Sequence, residues 1–521
     1  MNRTKLFRYI IFVLFTATFI MASSAQEDVP LGEFWKQSGI KVRLLDKVVT
    51  DRYCRQDRKA FLGCVGALDA LLPAGQRLRP ASVVTNKALV LKDFGSVVIA
   101  KNERKPMASP AEMVRELKRA RAAEEKEWLN LWRYHRFYFE GLLAAFKPFV
   151  EGTPLEAERT ARAYNAFLEF FYDPHSYIIP SAFVQKESER SRESFIGIGI
   201  QLARLGEYPL VQTVIDDGPA QRAGLKRHDL ILRIDGVETS ALSLDEAAKK
   251  LKGAAGSKIE LGLWRGDREI TLTVERSTLT RENVESRILK SGSLEFLYIR
   301  IASFMRQGLC RDLRDFIAAA PAASGVILDL RNNGGGLLDA AVCTVSAFVA
   351  AGKTVVTVKD FDEDNSDSLV TYGGPATQAP LVVLMNSDSA SASEIVAGAL
   401  QDHGRAWVVG ERSWGKGTVQ QSEAWAWNNR ILLFRTIARY YLPSGRSIQL
   451  AGVPPDVPVL DDPASIREQD LGGSLIPAEG KIRRRELSTE LQRCLAQKRE
   501  SMPNENQLGV AEGLLACAAG D

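Results

Sequence analysis

The stretch Leu381-Val382-Val383-Leu384-Met385-Asn386-Ser387-Asp388-Ser389-Ala390-Ser391-Ala392-Ser393-Glu394-Ile395-Val396-Ala397-Gly398-Ala399-Leu400 decides how this chain is read. Leu381 to Met385 is a short, continuously apolar run, as a strand buried on both faces requires. After a polar turn, Ile395, Val396, Ala399 and Leu400 recur at helical spacing. Val326 to Leu330 is a second buried strand of the same kind. Strands and helices alternate through residues 290–460, which predicts an α/β core.

Three segments of that core carry chemistry. In the turn Ser389–Glu394, a serine at a strand-to-helix junction is expected to be exposed, near the positive end of the helix dipole. Ser391 and Glu394 are also spaced as an ordinary capping box, and alone the turn reads as a cap. The second segment, Asp329-Leu330-Arg331-Asn332-Asn333-Gly334-Gly335-Gly336, follows a buried strand. Its three glycines let backbone N–H groups approach an oxyanion. The third, Gly410-Glu411-Arg412-Ser413-Trp414-Gly415-Lys416-Gly417-Thr418-Val419-Gln420, sets one lysine in a tight glycine turn beside a tryptophan. Lysine acts as a general base only when neutral, so its ordinary pKa of about 10.4 must fall several units through burial. Gly410-x-x-x-x-Gly415-Lys416 is a near miss for a phosphate-binding loop, because Gly417 stands where the Mg²⁺-binding hydroxyl belongs. A nucleotide partner is therefore not expected.

Upstream, residues 195–276 read as a small β-rich module. Ile198, Ile200 and Leu202 alternate as in a half-buried strand, Gly218-Pro219-Ala220 opens a short helix, and Asp235-Gly236 is a tight-turn pair. Ser243 and Glu246 form a capping box for a helix to about Leu251. Gly197-Ile198-Gly199-Ile200, with Gly218 to Ala220 and Ala223-Gly224-Leu225, resembles a PDZ domain, whose loop amides capture a terminal carboxylate while the strand edge pairs with the peptide. His228 stands where glycine is usual in that family.

Toward the N-terminus, a helix is expected around Asp51 to Leu72 and another near Glu156 to Phe171. Ser109-Pro110-Ala111-Glu112 caps a stretch containing Trp128, Trp132, Phe137, Phe139 and Phe146, an aromatic stripe that reads as helix-packing surface. Arg3, Lys5 and Arg8 precede an apolar run from Tyr9 to Met21 and the small residues Ser23-Ser24-Ala25, the pattern of a signal peptide cleaved after Ala25. The run is shorter than a spanning helix, and an uncleaved anchor is the alternative. Six cysteines, an even number, suit an oxidising compartment, and sequential pairing of Cys54 with Cys64, Cys310 with Cys343 and Cys494 with Cys517 is favoured by short loops. From about Asp461 the chain is charged and helix-leaning, and reads as a solvated tail.

The chain has 521 residues, 45% hydrophobic and 25% charged, the composition of a multidomain globular protein. Its formal net charge of +4 falls to about +1 without the basic leader, which argues against a nucleic-acid binder. Four scattered histidines offer no metal-binding spacing.

Taken in order, the glycine loop, the serine turn and the lysine turn resemble the tail-specific, or C-terminal processing, serine peptidase family. Asp173-Pro174-His175-Ser176, Pro443-Ser444-Gly445-Arg446-Ser447-Ile448-Gln449 and Pro454-Pro455-Asp456-Val457 add to the resemblance, which covers residues 110–460. It implies a PDZ domain inserted ahead of an α/β peptidase core and a Ser–Lys dyad without cofactor or metal. Ser391 maps to the nucleophile, Lys416 to the base and Gln420 to the residue orienting the lysine. Gly336 and Ala392 N–H groups map to the oxyanion hole, and Glu394 is a further active-site candidate. Substrates would be exported proteins with accessible C-termini, with a helical-repeat adaptor as a possible partner. The expected organisation is signal peptide 1–25, an N-terminal region 26–108, a helical region 109–194, the PDZ domain 195–276, the peptidase core 277–460 and a helical tail 461–521. The location expected is periplasm or cell envelope. Two other readings compete, an inert PDZ scaffold and a Ser–His–Asp hydrolase using His403. Twelve residues of helix separate His403 from Ser391, about 18 Å, too far for proton transfer.

Overall fold

A computed structural model of the chain describes residues 31–72, 76–80, 89–90, 97–101, 123–130, 132, most of 139–460, 487–500 and 506–520. They form two compact units, one drawn from the chain up to residue 281 together with 422–435, the other from 282–421 and 436 onward.

In the first unit, α1 (Arg58–Leu71), α2 (Phe139–Phe146) and α3 (Glu156–Phe171) build a helical core. The helix expected over 51–72 breaks before Arg58, because Asp57 turns out of helical geometry to cap α1, its carboxylate accepting from Ala60 N–H at 2.9 Å. The Cys54–Cys64 disulfide ties the preceding turn to α1. Phe61, Trp128, Phe139 and Phe146 are buried together, so the aromatic stripe is packing surface. Phe137 and the Ser109–Glu112 cap lie outside the described residues, as does the leader. Trp425 and Ile431, from a later hairpin, join this core, with Trp425 edge-on to Tyr164 at 4.8 Å.

The same unit holds the β-rich module. Besides the two-residue strand Val237–Glu238, which pairs with β4, its elements are β1 (Phe195–Gly197), β2 (Ile200–Leu205), β3 (Tyr208–Val214), α4 (Pro219–Arg222), β4 (Leu230–Ile234), α5 (Leu244–Leu251), β5 (Lys258–Arg265), β6 (Arg268–Glu275) and β7 (Ser277–Leu279). The sheet order is β6-β5-β4-β3-β2, and β1 pairs with β7 in a separate antiparallel ribbon. Among the described residues, strand β2 is therefore an edge. Asp235 and Gly236 both take positive φ, the tight turn their sequence predicts. Ser243 lies outside the described residues.

The second unit is the α/β core, with its main sheet in the order β8 (Val284–Ser291), β9 (Leu294–Ile301), β10 (Gly325–Asp329), β11 (Leu381–Met385), β12 (Ala406–Gly410), β13 (Val457–Pro458). From β9 onward all neighbours are parallel, and β8 is antiparallel to β9. Side chains of a strand alternate between faces, and here both alternating sets are apolar. Leu328 and Val383 pack with α6 (Leu309–Ala319), α7 (Leu338–Ser346) and α8 (Ala392–Asp402). Ile327, Val382 and Leu384 instead pack with Val510, Ala511, Leu514 and Leu515.

Those last four residues overturn the expectation of a solvated tail. Helices α9 (Thr489–Glu500) and α10 (Gln507–Ala519) are joined by the Cys494–Cys517 disulfide, and α10 is buried against the sheet. A parallel sheet with two apolar faces needs cover on both, and α10 supplies the second. Cys310–Cys343 joins α6 to α7, so all three sequential pairings are present. Among the described residues no helix is long and apolar enough to cross a membrane.

Candidate active site

Adjacent parallel strands end on the same edge of a sheet, so the loops after β10 and β11 meet. Asn332 N–H donates to Asn386 Oδ1 at 3.0 Å, and Asn386 Nδ2 returns a bond to Asn332 Oδ1 at 2.8 Å. Ser389 Oγ donates to Leu330 O at 2.9 Å, and Asn333 O accepts from Ala390 N–H at 3.0 Å and Ser393 Oγ at 2.8 Å. The glycine loop and the serine turn are thereby one laced structure.

Ser391 sits at its centre, and the expectation that it is exposed is overturned: its accessibility is 0%. Its backbone takes φ 56° and ψ −113°, a strained conformation for a residue with a side chain. Ser391 N–H donates to Glu394 Oε2 at 2.7 Å, which is the carboxylate half of a capping box. The Ser391 hydroxyl itself finds no hydrogen-bond partner among the described residues. Gly335 passes so close that a β-carbon on it would stand 2.9 Å from Ser391 Cβ and 2.8 Å from Ala390 O. Only glycine fits there. Among the described residues, Gly336 N–H and Ala392 N–H have no acceptor.

The lysine turn lies against the same structure. Trp414 N–H donates to Ser389 O at 3.0 Å. Lys416 is 1% exposed, and its ammonium nitrogen reaches Thr418 O at 3.0 Å and also Gln420 Oε1. Gln420 is held in turn, its Nε2 donating to Thr418 Oγ1 at 2.8 Å and Thr436 Oγ1 at 3.0 Å.

Glu394 joins the parts. Oε1 accepts from Ser413 Oγ at 2.6 Å and Gly415 N–H at 2.7 Å, while Oε2 accepts from Ser391 N–H and from Lys416 N–H at 2.9 Å. Complete burial pushes this carboxyl up to about 7, against the opposing pull of those four donors. The Asp329 carboxylate stays at the strand end, where Arg331 reaches it at 2.5 Å and Tyr298 OH at 2.8 Å. Burial alone would raise it, but the Arg331 charge and these hydrogen bonds hold it below the usual carboxylate range.

His403 caps the far end of α8, its Nε2 lying 2.7 Å from Thr354 O. The Gly197–Ile200 loop belongs to the first unit, joining β1 to the edge strand β2. Its carbonyls accept from Ala220 N–H at 2.9 Å and Ile215 N–H at 2.8 Å, and Ile198 is buried among residues of β3, β4 and α5. Sequence reading missed Ser413, Thr418 and Thr436. Ser413 and Thr418 lie in the quoted lysine segment, but nothing in the sequence links position 413 to 394 or 436 to 420.

A profile of peptidase family S41 matches residues 295–459, and one of the PDZ domain matches 210–265. The chain is 36% identical over 294 residues to a carboxy-terminal-processing protease of Bartonella bacilliformis, covering 55% of this chain and 66% of the relative. It is 30% identical over 353 residues to a carboxyl-terminal-processing protease of a Picosynechococcus species, covering 65% of this chain and 84% of the relative. The chain thus spans just under two thirds of the first relative's length and more of the second's. A solved photosystem II D1 C-terminal processing protease aligns over 68% of this chain and 94% of its own, at 27% identity and a TM-score of 0.45.

Proposed function

The chain belongs to peptidase family S41, the carboxyl-terminal-processing proteases, and from that premise we propose that it is an exported endopeptidase cleaving by a Ser391–Lys416 dyad. The observation that carries this reading is a strained serine, its hydroxyl without a hydrogen-bond partner among the described residues, whose backbone N–H shares the Glu394 acceptor with that of the buried Lys416.

In the proposed cycle, neutral Lys416 takes the Ser391 proton as Oγ attacks a peptide carbonyl, giving an acyl-enzyme. Gln420 Oε1 and Thr418 O hold the amine in place. The N–H groups of Gly336 and Ala392, without an acceptor among the described residues, serve the tetrahedral oxyanion, and such a donor contributes about 3 kcal/mol to the transition state. The Lys416 ammonium then protonates the leaving amine, and water hydrolyses the ester.

The PDZ domain, through Gly197, Ile198, Gly199 and Ile200, would take the substrate's free C-terminus and pair its last residues with the open edge of β2. Substrates would be exported proteins with poorly structured tails, in the periplasm or cell envelope. The three disulfides suit such a compartment.

The test is digestion of a mixture of exported proteins by the wild type and by Ser391→Ala, with the released peptides identified by mass spectrometry. New C-termini with the wild type alone support the reading. The same products from both proteins would remove Ser391 as the nucleophile.

A further inference from the structure

The direction in which a side chain leaves the backbone is set by the two peptide planes that flank its Cα. For Lys416 both planes are held by buried side-chain oxygens. The N–H of Lys416 donates to Glu394 Oε2 at 2.9 Å, and the N–H of Gly417 donates to Gln449 Oε1 at 2.8 Å. On the same residue, Gly417 O accepts from Tyr440 N–H at 2.8 Å. Gln449 is completely buried, and the turn lies flat upon it: a β-carbon at Gly417 would stand 2.6 Å from Gln449 N. The next residue continues the contact, with Leu450 N–H donating to Gly415 O at 2.8 Å.

Gln449 is itself anchored to the helix that begins at the candidate nucleophile. Its segment, Pro443 to Gln449, is fastened to the C-terminal end of α8. There Arg446 lies 3.1 Å from Asp402 Oδ1 and donates to Gln401 Oε1 at 2.7 Å, and Ser444 N–H donates to Asp402 Oδ2 at 2.9 Å. The lysine turn is therefore gripped from both ends of one helix, by Glu394 near its start and through Gln449 from its end.

We propose that Gln449 is a positioning residue for Lys416, its side-chain oxygen fixing the peptide plane that sets where the lysine amine stands. The inference rests on the dyad reading above. In this reading Gln449 acts through the Gly417 amide. A displacement of about 1 Å in a reacting group can cost on the order of a hundredfold in rate, so an effect on turnover rather than on substrate binding is expected.

The test compares Gln449→Leu, which keeps the bulk and removes the acceptor, with Gln449→Glu, which keeps an acceptor oxygen. Both are assayed with the full chain on one C-terminally tagged substrate, with thermal unfolding measured beside kcat and KM. Gln449→Leu should lower kcat roughly 10- to 100-fold with KM within about twofold, and Gln449→Glu should recover most of the loss. If Gln449→Leu does not fold, Gln449→Met takes its place. Should the leucine or methionine variant keep wild-type kcat, or the glutamate variant fall as far as they do, the positioning role is lost. Lys416→Ala runs in parallel. If it stays active, the dyad reading fails, whereas an inactive Lys416→Ala with an unaffected Gln449→Leu overturns this inference alone.

Discussion

Ser391 and Lys416 donate their backbone N–H groups to the same oxygen, Glu394 Oε2, at 2.7 and 2.9 Å. The two amides can be no further apart than those two bonds laid end to end, although 25 positions separate them along the chain. A carboxylate that looks like a helix cap in sequence thus ties the serine turn to the lysine turn.

Removing the lysine amine should abolish proteolysis. Lys416→Ala, Lys416→Arg and Lys416→His are each expected to retain less than a few per cent of wild-type turnover while unfolding at similar temperatures. Arginine cannot deprotonate, and imidazole is too short to reach the same place. An alanine variant with substantial activity would end the dyad assignment.

Glu394→Gln should lower both stability and rate. The amide presents an NH₂ toward two of the four donors, leaving buried groups unsatisfied at a cost of about 2–4 kcal/mol. We expect kcat to drop at least tenfold. A variant as stable and active as the wild type would show that the shared acceptor is dispensable.

The same residue predicts a pH dependence of stability. Glu394 is raised from 4.5 to about 7 in the folded state, so the fold takes up its proton more readily than the unfolded chain does. Its contribution is fully present below pH 4.5 and is lost as pH rises through about 7. The unfolding free energy of the wild type relative to Glu394→Gln, from urea titrations, should decline across that window. A flat difference would contradict the raised value.

Histidine replacement should leave the acidic limb of kcat/KM in place. His403 bonds to Thr354 O at the opposite end of α8 from Ser391, so His403→Gln should weaken the fold by about 1 kcal/mol and no more. Loss of the limb in this variant would make histidine the base.

Adding Asp-Asp to the tail of a good substrate should slow its degradation. Ile198 is buried and Ile200 half-buried beside the carboxylate loop, and an added charge there would be desolvated without a partner. Degradation at equal rates would deprive the PDZ domain of its proposed role.

The strand-turn-helix order around Ser391, the buried runs at Val326–Leu330 and Leu381–Met385, the tight turn at Asp235-Gly236 and the three cysteine pairings were legible in the sequence. Each depends on residues close in the chain, where periodicity, turn chemistry or loop length decides. The family was legible for the same reason, because its motifs are contiguous stretches. What the tertiary structure alone decided are relationships between distant segments. Helical spacing shows that Val510, Leu514 and Leu515 share a stripe, but not that the second face of a parallel sheet waits to be covered by it. Spacing likewise marks Glu394 as a cap, but its other donors, Ser413, Gly415 and Lys416, arrive only when β11 and β12 lie side by side. Burial of Ser391 follows from that same assembly. A local pattern states what a segment prefers, whereas desolvation and hydrogen-bond partners belong to the groups that surround it once the chain has folded.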